Sequence, residues 1–507
     1  MNPYNLKNNA MFLSCWHERN RPVQLICFSI LIVSVILLSF LSISMTQQQP
    51  DKTWEALFYV IASIQALVLL LVGSIVVGYL ASRERTSETL DFHRNSPQPV
   101  LEKIFGLVLG GTWFEWAVFA ILFVIELPFA LLPKINLTDI LLFNFSILLS
   151  GIFFHTSAAA FALISPQKKR GSPIIFFVLF FMFGWPLLSL AFSSSHSGFF
   201  THLFGATAVM YLSPNNTDLR FNGWFYSFDL PLIVVQALIQ LPLTLLMVRG
   251  IKRVFNMPNS PAFAKEDVIR FCFFLFFMIT GFFVANYIHF DQFHQPYRYS
   301  YITPERFLEQ STTTYLVLLT AVGFLMGFLT VPSYFKRSKF VVLSGKKIAK
   351  FNGVFDDGAT SFPTIAIYLL IGALCLIPYT LIARIPAINA GAALLMLSFH
   401  IVAFAGFLEF FRLGRFRGNK IFFVTTLIIW WLFIPWLLSA IYNFKLENIF
   451  DIGGLSPFVG FTYAVGILAD SQKTLTFTPL IAPGLAAIAT WFLAYQEHQT
   501  INKRIKG

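Results

Sequence analysis

Long apolar runs alternate with short polar connections along the whole chain. Each run holds about the 20 residues that a bilayer crossing needs. The runs fall at 23–45, 54–80, 106–132, 140–165, 173–193, 229–248, 269–289, 313–333, 362–383, 388–411, 421–442 and 477–495. In lipid a backbone must satisfy its own hydrogen bonds, so runs of this length read as helices. The pattern predicts an all-α polytopic membrane protein of about twelve transmembrane helices. Composition agrees: 56% of residues are hydrophobic, 12% are charged and the mean hydropathy is +0.70. The first 22 residues lack a small-residue cleavage pattern, so the first span is expected to act as an uncleaved anchor.

The net charge of +12 raises the question of nucleic acid. Its distribution gives another answer. With the N-terminus placed inside and the sides alternating, the inner segments hold 28 of the 36 Lys and Arg residues. This is the positive-inside bias, and it predicts both termini in the cytoplasm. The basic balance then reflects topology and anionic inner lipid, not nucleic acid. The expected location is the inner (cytoplasmic) membrane of a bacterium, with the lipid bilayer as the first partner.

The polar segment 249–267, with Pro258-Asn259-Ser260-Pro261, divides the runs into six and six. Residues 1–257 and 258–507 are the expected halves. Each half begins and ends inside, so the two are expected to be parallel six-helix repeats, a known transporter plan. Matched positions carry the duplication. Phe154-His155, Ala158, Ala160, Leu163 and Arg170 recur as Phe399-His400, Ala403, Ala405, Leu408 and Arg415. Leu187-Leu188-Ser189 recurs as Leu437-Leu438-Ser439, and Leu-Ser-Pro occurs at 212–214 and 455–457.

The connection 82–106 carries charges of both signs around Leu90 and Phe92. It reads as a short charged helix, a turn and a second helix start, with Ser96-Pro97 as N-cap and first turn. Such an amphipathic element can dock on a partner protein. Its counterpart at 336–361 is mostly basic. No ATPase is expected in this chain, because the nearest phosphate-loop candidate is Leu343-Ser344-Gly345-Lys346-Lys347. It has Phe340 where Gly is needed and Lys347 where Ser or Thr is needed.

In these motifs the chain resembles the permease subunits of type-2 ATP-binding-cassette exporters. The matching positions are Arg83-Glu84, Thr89-Leu90-Asp91, Ser96-Pro97 and Lys103. Glu88 and Glu102 depart from the family's usual glycines. Asn2-Pro3 and the amphipathic stretch 6–21 are similar to that family's interfacial helix. The resemblance implies a membrane-spanning subunit that forms a translocation route. It also implies a separate ATP-binding-cassette ATPase, in two copies, as partner, with ATP acting through that partner and no cofactor in this chain. Arg83, Glu84, Arg85, Glu88, Thr89, Asp91 and Arg94 would form the ATPase-coupling loop. Ser213, Pro214, Ser456 and Pro457 would belong to an outer gate, or to a packed surface cap.

Ionisable groups inside spans are costly and tend to face the bundle interior. His155, His400 and Glu115 are therefore candidates to line the route. The two histidines would equally serve as neutral hydrogen-bonding groups between packed helices. Glu126 and Glu409 are expected to reach the interfaces, and Asp229 to cap the sixth span. None of Cys15, Cys27, Cys272 and Cys375 lies in an outer loop, so no disulfide is expected, and no metal motif or catalytic constellation is present. A gradient-driven secondary transporter is the competing reading. A polytopic membrane enzyme or scaffold ranks below both.

Overall fold

The computed structural model describes residues 9–19, 50–86, 89–132, 135–164, 222–225, 228–256, 263–288, 360–382, 387–413 and 478–506. It also describes isolated positions between 32 and 40 and between 315 and 330. The chain forms two compact units, Met1–Ala262 and Phe263–Gly507. Seven of the described helices are long and apolar enough to cross a membrane, which is the pattern of a multi-pass membrane protein. They coincide with the expected second, third, fourth, sixth, seventh, ninth and tenth spans. The spans expected near 23–45, 173–193, 313–333 and 421–442 lie outside the described residues, apart from isolated positions.

The first unit opens with α1 (Ala10–Arg19). The next long helix has three parts: α2 (Pro50–Ala66), a π-helical turn at Leu67–Val72 and α3 (Gly73–Thr86). The short α4 (Thr89–Asn95) follows, then α5 (Val100–Glu126), a 3-10 turn at Leu127–Leu131 and α6 (Leu137–Ile164). A two-stranded antiparallel hairpin, β1 (Asn222–Phe225) and β2 (Phe228–Pro231), leads into α7 (Leu232–Asn256). Asp229 pairs with Trp224 inside this hairpin. It is therefore a strand residue, and the helix expected to start at it begins at Leu232.

Small residues set the packing of this unit. α1 lies against α5 because Gly106 and Gly110 leave room for its backbone. A Cβ at Gly106 would stand 2.7 Å from the Phe12 nitrogen, and one at Gly110 would stand 2.8 Å from the Phe12 oxygen. Asn9 caps α1 by accepting from the Phe12 N–H at 3.0 Å, and its Nδ2 donates to the Glu102 carbonyl at 2.6 Å. Trp16 and Trp113 meet at 6.2 Å between ring centres. Within the predicted amphipathic stretch, Ala10–Arg19 is thus a helix fixed along the start of α5.

The second unit is built from α8 (Lys265–Ile288), α9 (Phe362–Ile382), α10 (Ala387–Leu413) and α11 (Thr478–Lys506). Its core centres on five aromatic rings. Phe283 stacks on Tyr379 at 3.8 Å, Tyr315 meets Tyr379 at 4.8 Å, and Phe276 touches both Tyr315 and Tyr368. Two of the three tyrosine hydroxyls are satisfied by backbone, as burial demands. Tyr315 donates to the Gly372 carbonyl at 2.6 Å and Tyr368 to the Leu319 carbonyl. α10 and α11 pack closely at Gly406, where a Cβ would stand 2.9 Å from Thr490 Oγ1.

Candidate functional site

Two polar regions stand out in the first unit. One is the junction where α3, α4 and α5 meet. The other is a set of buried polar side chains between the long helices.

The junction is built on a buried pair. Glu84 ends α3, and its Oε2 lies 3.6 Å from His93 Nε2 on α4, with both side chains nearly covered. Burial lowers the His93 pKa below its ordinary value. Glu84 opposes that shift and Lys103 adds to it. Leu90, one turn before His93 on the same face of α4, is buried as well. Ser96 donates its hydroxyl to the His93 carbonyl at 2.8 Å, and Lys103 Nζ donates to the Ser96 carbonyl at 3.1 Å. Ser96 therefore closes α4 instead of capping the next helix. The cap of α5 is Pro99, in an extended conformation that proline favours and that leaves no N–H to satisfy.

The residues singled out in this loop divide by exposure. Arg83 and Asp91 are exposed, Glu84 is buried and Arg85 is half-buried. Arg85 donates to the carbonyl of Leu163 at the C-terminal end of α6, where a cation meets the negative end of the helix dipole. Glu88 lies outside the described residues, and Thr89 and Arg94 are placed as α4 backbone. Cys15 of α1 also reaches this region. Burial pushes its thiol up to about 12, with Glu84 adding to the effect.

Between the long helices, His155 is fully buried on α6. Its Nε2–H donates to the Leu69 carbonyl at 2.7 Å, and its Nδ1 lies 3.5 Å from Thr112 Oγ1. The π-turn supplies that carbonyl. Gly73 N–H bonds to Val68 O, one residue earlier than in an α-helix, which frees Leu69 O from it. Thr112 has non-helical dihedrals of −118° and 18° inside α5. Glu115 is buried one turn further on.

Two hydrogen-bonded clusters precede His155 along α6. In the first, Gln65 Nε2 donates to the Phe119 carbonyl at 3.1 Å and to Asn144 Oδ1 at 2.8 Å. Asn144 Nδ2 donates to Glu126 Oε2 at 2.7 Å. In the second, Ser146 and Ser150 of α6 bond to Gln236 and Gln240 of α7 at 2.6–3.4 Å. Glu126 is fully buried, contrary to the expectation that it reaches an interface. The cause is the carboxamide of Asn144, which comes from another helix and lets the carboxyl group stay inside.

In the second unit His400 is buried on α10. Glu409 is buried too, again contrary to expectation. His498 of α11 contacts its Oε1 at 2.6 Å, and the Ser361 hydroxyl donates to its Oε2 at 2.8 Å. Asn389 is buried and stands 245 positions after Asn144, the same offset that relates His155 to His400. Ser213, Pro214, Ser456 and Pro457 lie outside the described residues, as does nearly all of 336–361. Among the described residues no group of three His, Cys, Asp or Glu side chains is placed to hold a metal.

No known protein family, curated protein or solved structure matches this chain.

Proposed function

We propose that this chain is the membrane-spanning subunit of an ATP-driven exporter. It forms the translocation route and couples to two separate ATP-binding-cassette ATPase subunits through its cytoplasmic loops. The route would cross the inner membrane of a bacterium. The observation that carries this reading is the α3–α4–α5 junction. A coupling element must move as one piece with the helices it drives. α4 is pinned along one face by the buried Glu84–His93 pair and by buried Leu90, and tied to α5 through Lys103. Arg83 and Asp91 remain exposed beside it. That arrangement presents charge to a partner on a base that resists local deformation.

The test is purification of the full chain in mild detergent with whatever binds it. The exporter reading expects a phosphate-loop ATPase at two copies per chain. It also expects transport in vesicles to stop when ATP is withheld. Transport that proceeds without any ATPase and follows an imposed proton gradient overturns it.

A gradient-driven transporter is the second reading. The buried Glu126, joined to Asn144 and Gln65 across three helices, is the observation that favours it. The same vesicle experiment separates the two.

A further inference from the structure

Glu126 closes α5, and protein encloses its carboxyl group completely. Asn144 Nδ2 donates to Oε2 at 2.7 Å, while Oε1 has no hydrogen-bond partner. The orientation of each carboxamide is fixed by its other bonds. Asn144 Nδ2 also donates to the Ile140 carbonyl at 2.9 Å, and Asn144 Oδ1 accepts from Gln65 Nε2. Gln65 Nε2 donates in addition to the Phe119 carbonyl at 3.1 Å. Flipping either side chain would set acceptor against acceptor. All the donors are therefore used, and two buried acceptors are left over: Glu126 Oε1 and Gln65 Oε1.

A site with surplus acceptors and no spare donor is short of a hydrogen. An ionised carboxylate would sit there with one donor and no counter-charge, at an effective cost of several kcal/mol. Among the described residues no ion pair reaches Glu126. The titratable residues on the elements around it are Glu102, Lys103 and Glu115 on its own helix, Asp139 and His155 on α6, and Asp51, Lys52, Glu55 and Tyr59 on α2. Lys103, the base on its own helix, is about 35 Å from Glu126 at 1.5 Å per residue.

We propose that Glu126 is a proton-binding site. Its carboxylate accepts one proton from water at neutral pH, with no other bond made or broken. The new O–H supplies the donor that the leftover carboxyl oxygen lacks. The ligand is the proton itself. The inference stands apart from the exporter reading, since the proton can gate or stabilise the bundle whichever energy source drives transport.

The test is pH-difference infrared spectroscopy on the purified full chain, in ordinary and in deuterated water. A protonated-carboxyl carbonyl band is expected at pH 7. It should shift on deuteration, vanish in Glu126→Gln, persist in Glu115→Gln and move in frequency in Asn144→Ala. Glu126→Gln should melt within a degree or two of the parent, because its amide N–H replaces the carboxyl O–H, whereas Glu126→Leu should melt lower. The proposal fails if the wild-type band is missing, or if it survives Glu126→Gln. It also fails if deuteration and Asn144→Ala both leave the band unchanged, or if sodium or potassium sets the melting temperature in place of pH.

Discussion

The imidazole of His155 rests directly on Gly73, so closely that a Cβ at Gly73 would lie 2.3 Å from Nε2. The same nitrogen donates to the Leu69 carbonyl that the π-turn leaves open. The ring, the glycine and the turn form one joint between α6 and the α2–α3 helix. π-turns are uncommon and cost helix regularity, so a joint of this kind persists where a side chain uses the carbonyl it frees.

Gly73→Ala should therefore destabilise the first unit by about 1–3 kcal/mol, the usual cost of overpacking. Truncating the ring should relieve the clash. A double-mutant cycle of Gly73→Ala with His155→Ala, followed by thermal melting in detergent, should give a coupling energy of about the same size and opposite sign, since the double variant should lose no more than His155→Ala alone. Additive losses would show that the ring and the glycine are independent.

α1 depends on glycine in the same manner. Gly106→Ala would set a methyl group 2.7 Å from the Phe12 nitrogen, and backbone cannot swing aside as a side chain can. The helix should lift from α5 and uncover Cys15, which is buried and whose thiol is pushed up to about 12. A loss of about 1–3 kcal/mol in local packing corresponds to a rise of roughly 5- to 150-fold in maleimide labelling of Cys15. Labelling should be read in a chain whose other cysteines are replaced by serine. An unchanged rate would mean that α1 is held by contacts other than Gly106.

The long helices and the α4 element were legible in the sequence because each is written locally. Apolar runs mark the spans, and Leu90 between charges marks the short helix. The joints were not. His155 and Leu69 are 86 positions apart, and Glu409 and His498 are 89 apart. Glu126 and Glu409 read as interfacial because acids near span ends usually reach water. Each is held inside by a side chain from another helix, Asn144 for Glu126 and His498 for Glu409. Asp229 read as a cap because it precedes an apolar run. A hairpin that pairs it with Trp224 shifts the helix start three residues along. Ser96-Pro97 met the local rule for a helix start, but Pro99 stands closer to the first helical residue and takes that place.

Burial also separates two acids that look alike in the coupling loop. Charge reversal at Asp91 should leave the bundle folded and weaken ATPase association, since Asp91 is exposed. Glu84→Arg should instead disturb the junction itself, because it would place a cation beside His93 and Lys103 in a covered site. Measured by co-purification and melting together, Asp91→Arg should lose partner at constant melting temperature, and Glu84→Arg should lose both. If Asp91→Arg keeps its partner in full, the exposed face of α4 is not the docking surface.

The Glu84–His93 pair should make the junction acid-sensitive in a definite direction. Burial holds the His93 pKa below its ordinary value of about 6.5. The unfolded chain then takes up a proton at this residue before the folded chain does. Stability contributed at His93 is complete above about pH 6.5, and it falls as pH drops from there toward the folded-state pKa. A raised pKa would give the opposite slope, so the sign is diagnostic. His93→Gln keeps a donor for Glu84 and cannot titrate. The difference in melting temperature between the parent and His93→Gln should move in favour of the variant as pH falls from about 7 to 5. A difference that stays flat, or that moves in favour of the parent, would show that the imidazole is charged in the folded junction and that Glu84 outweighs burial there.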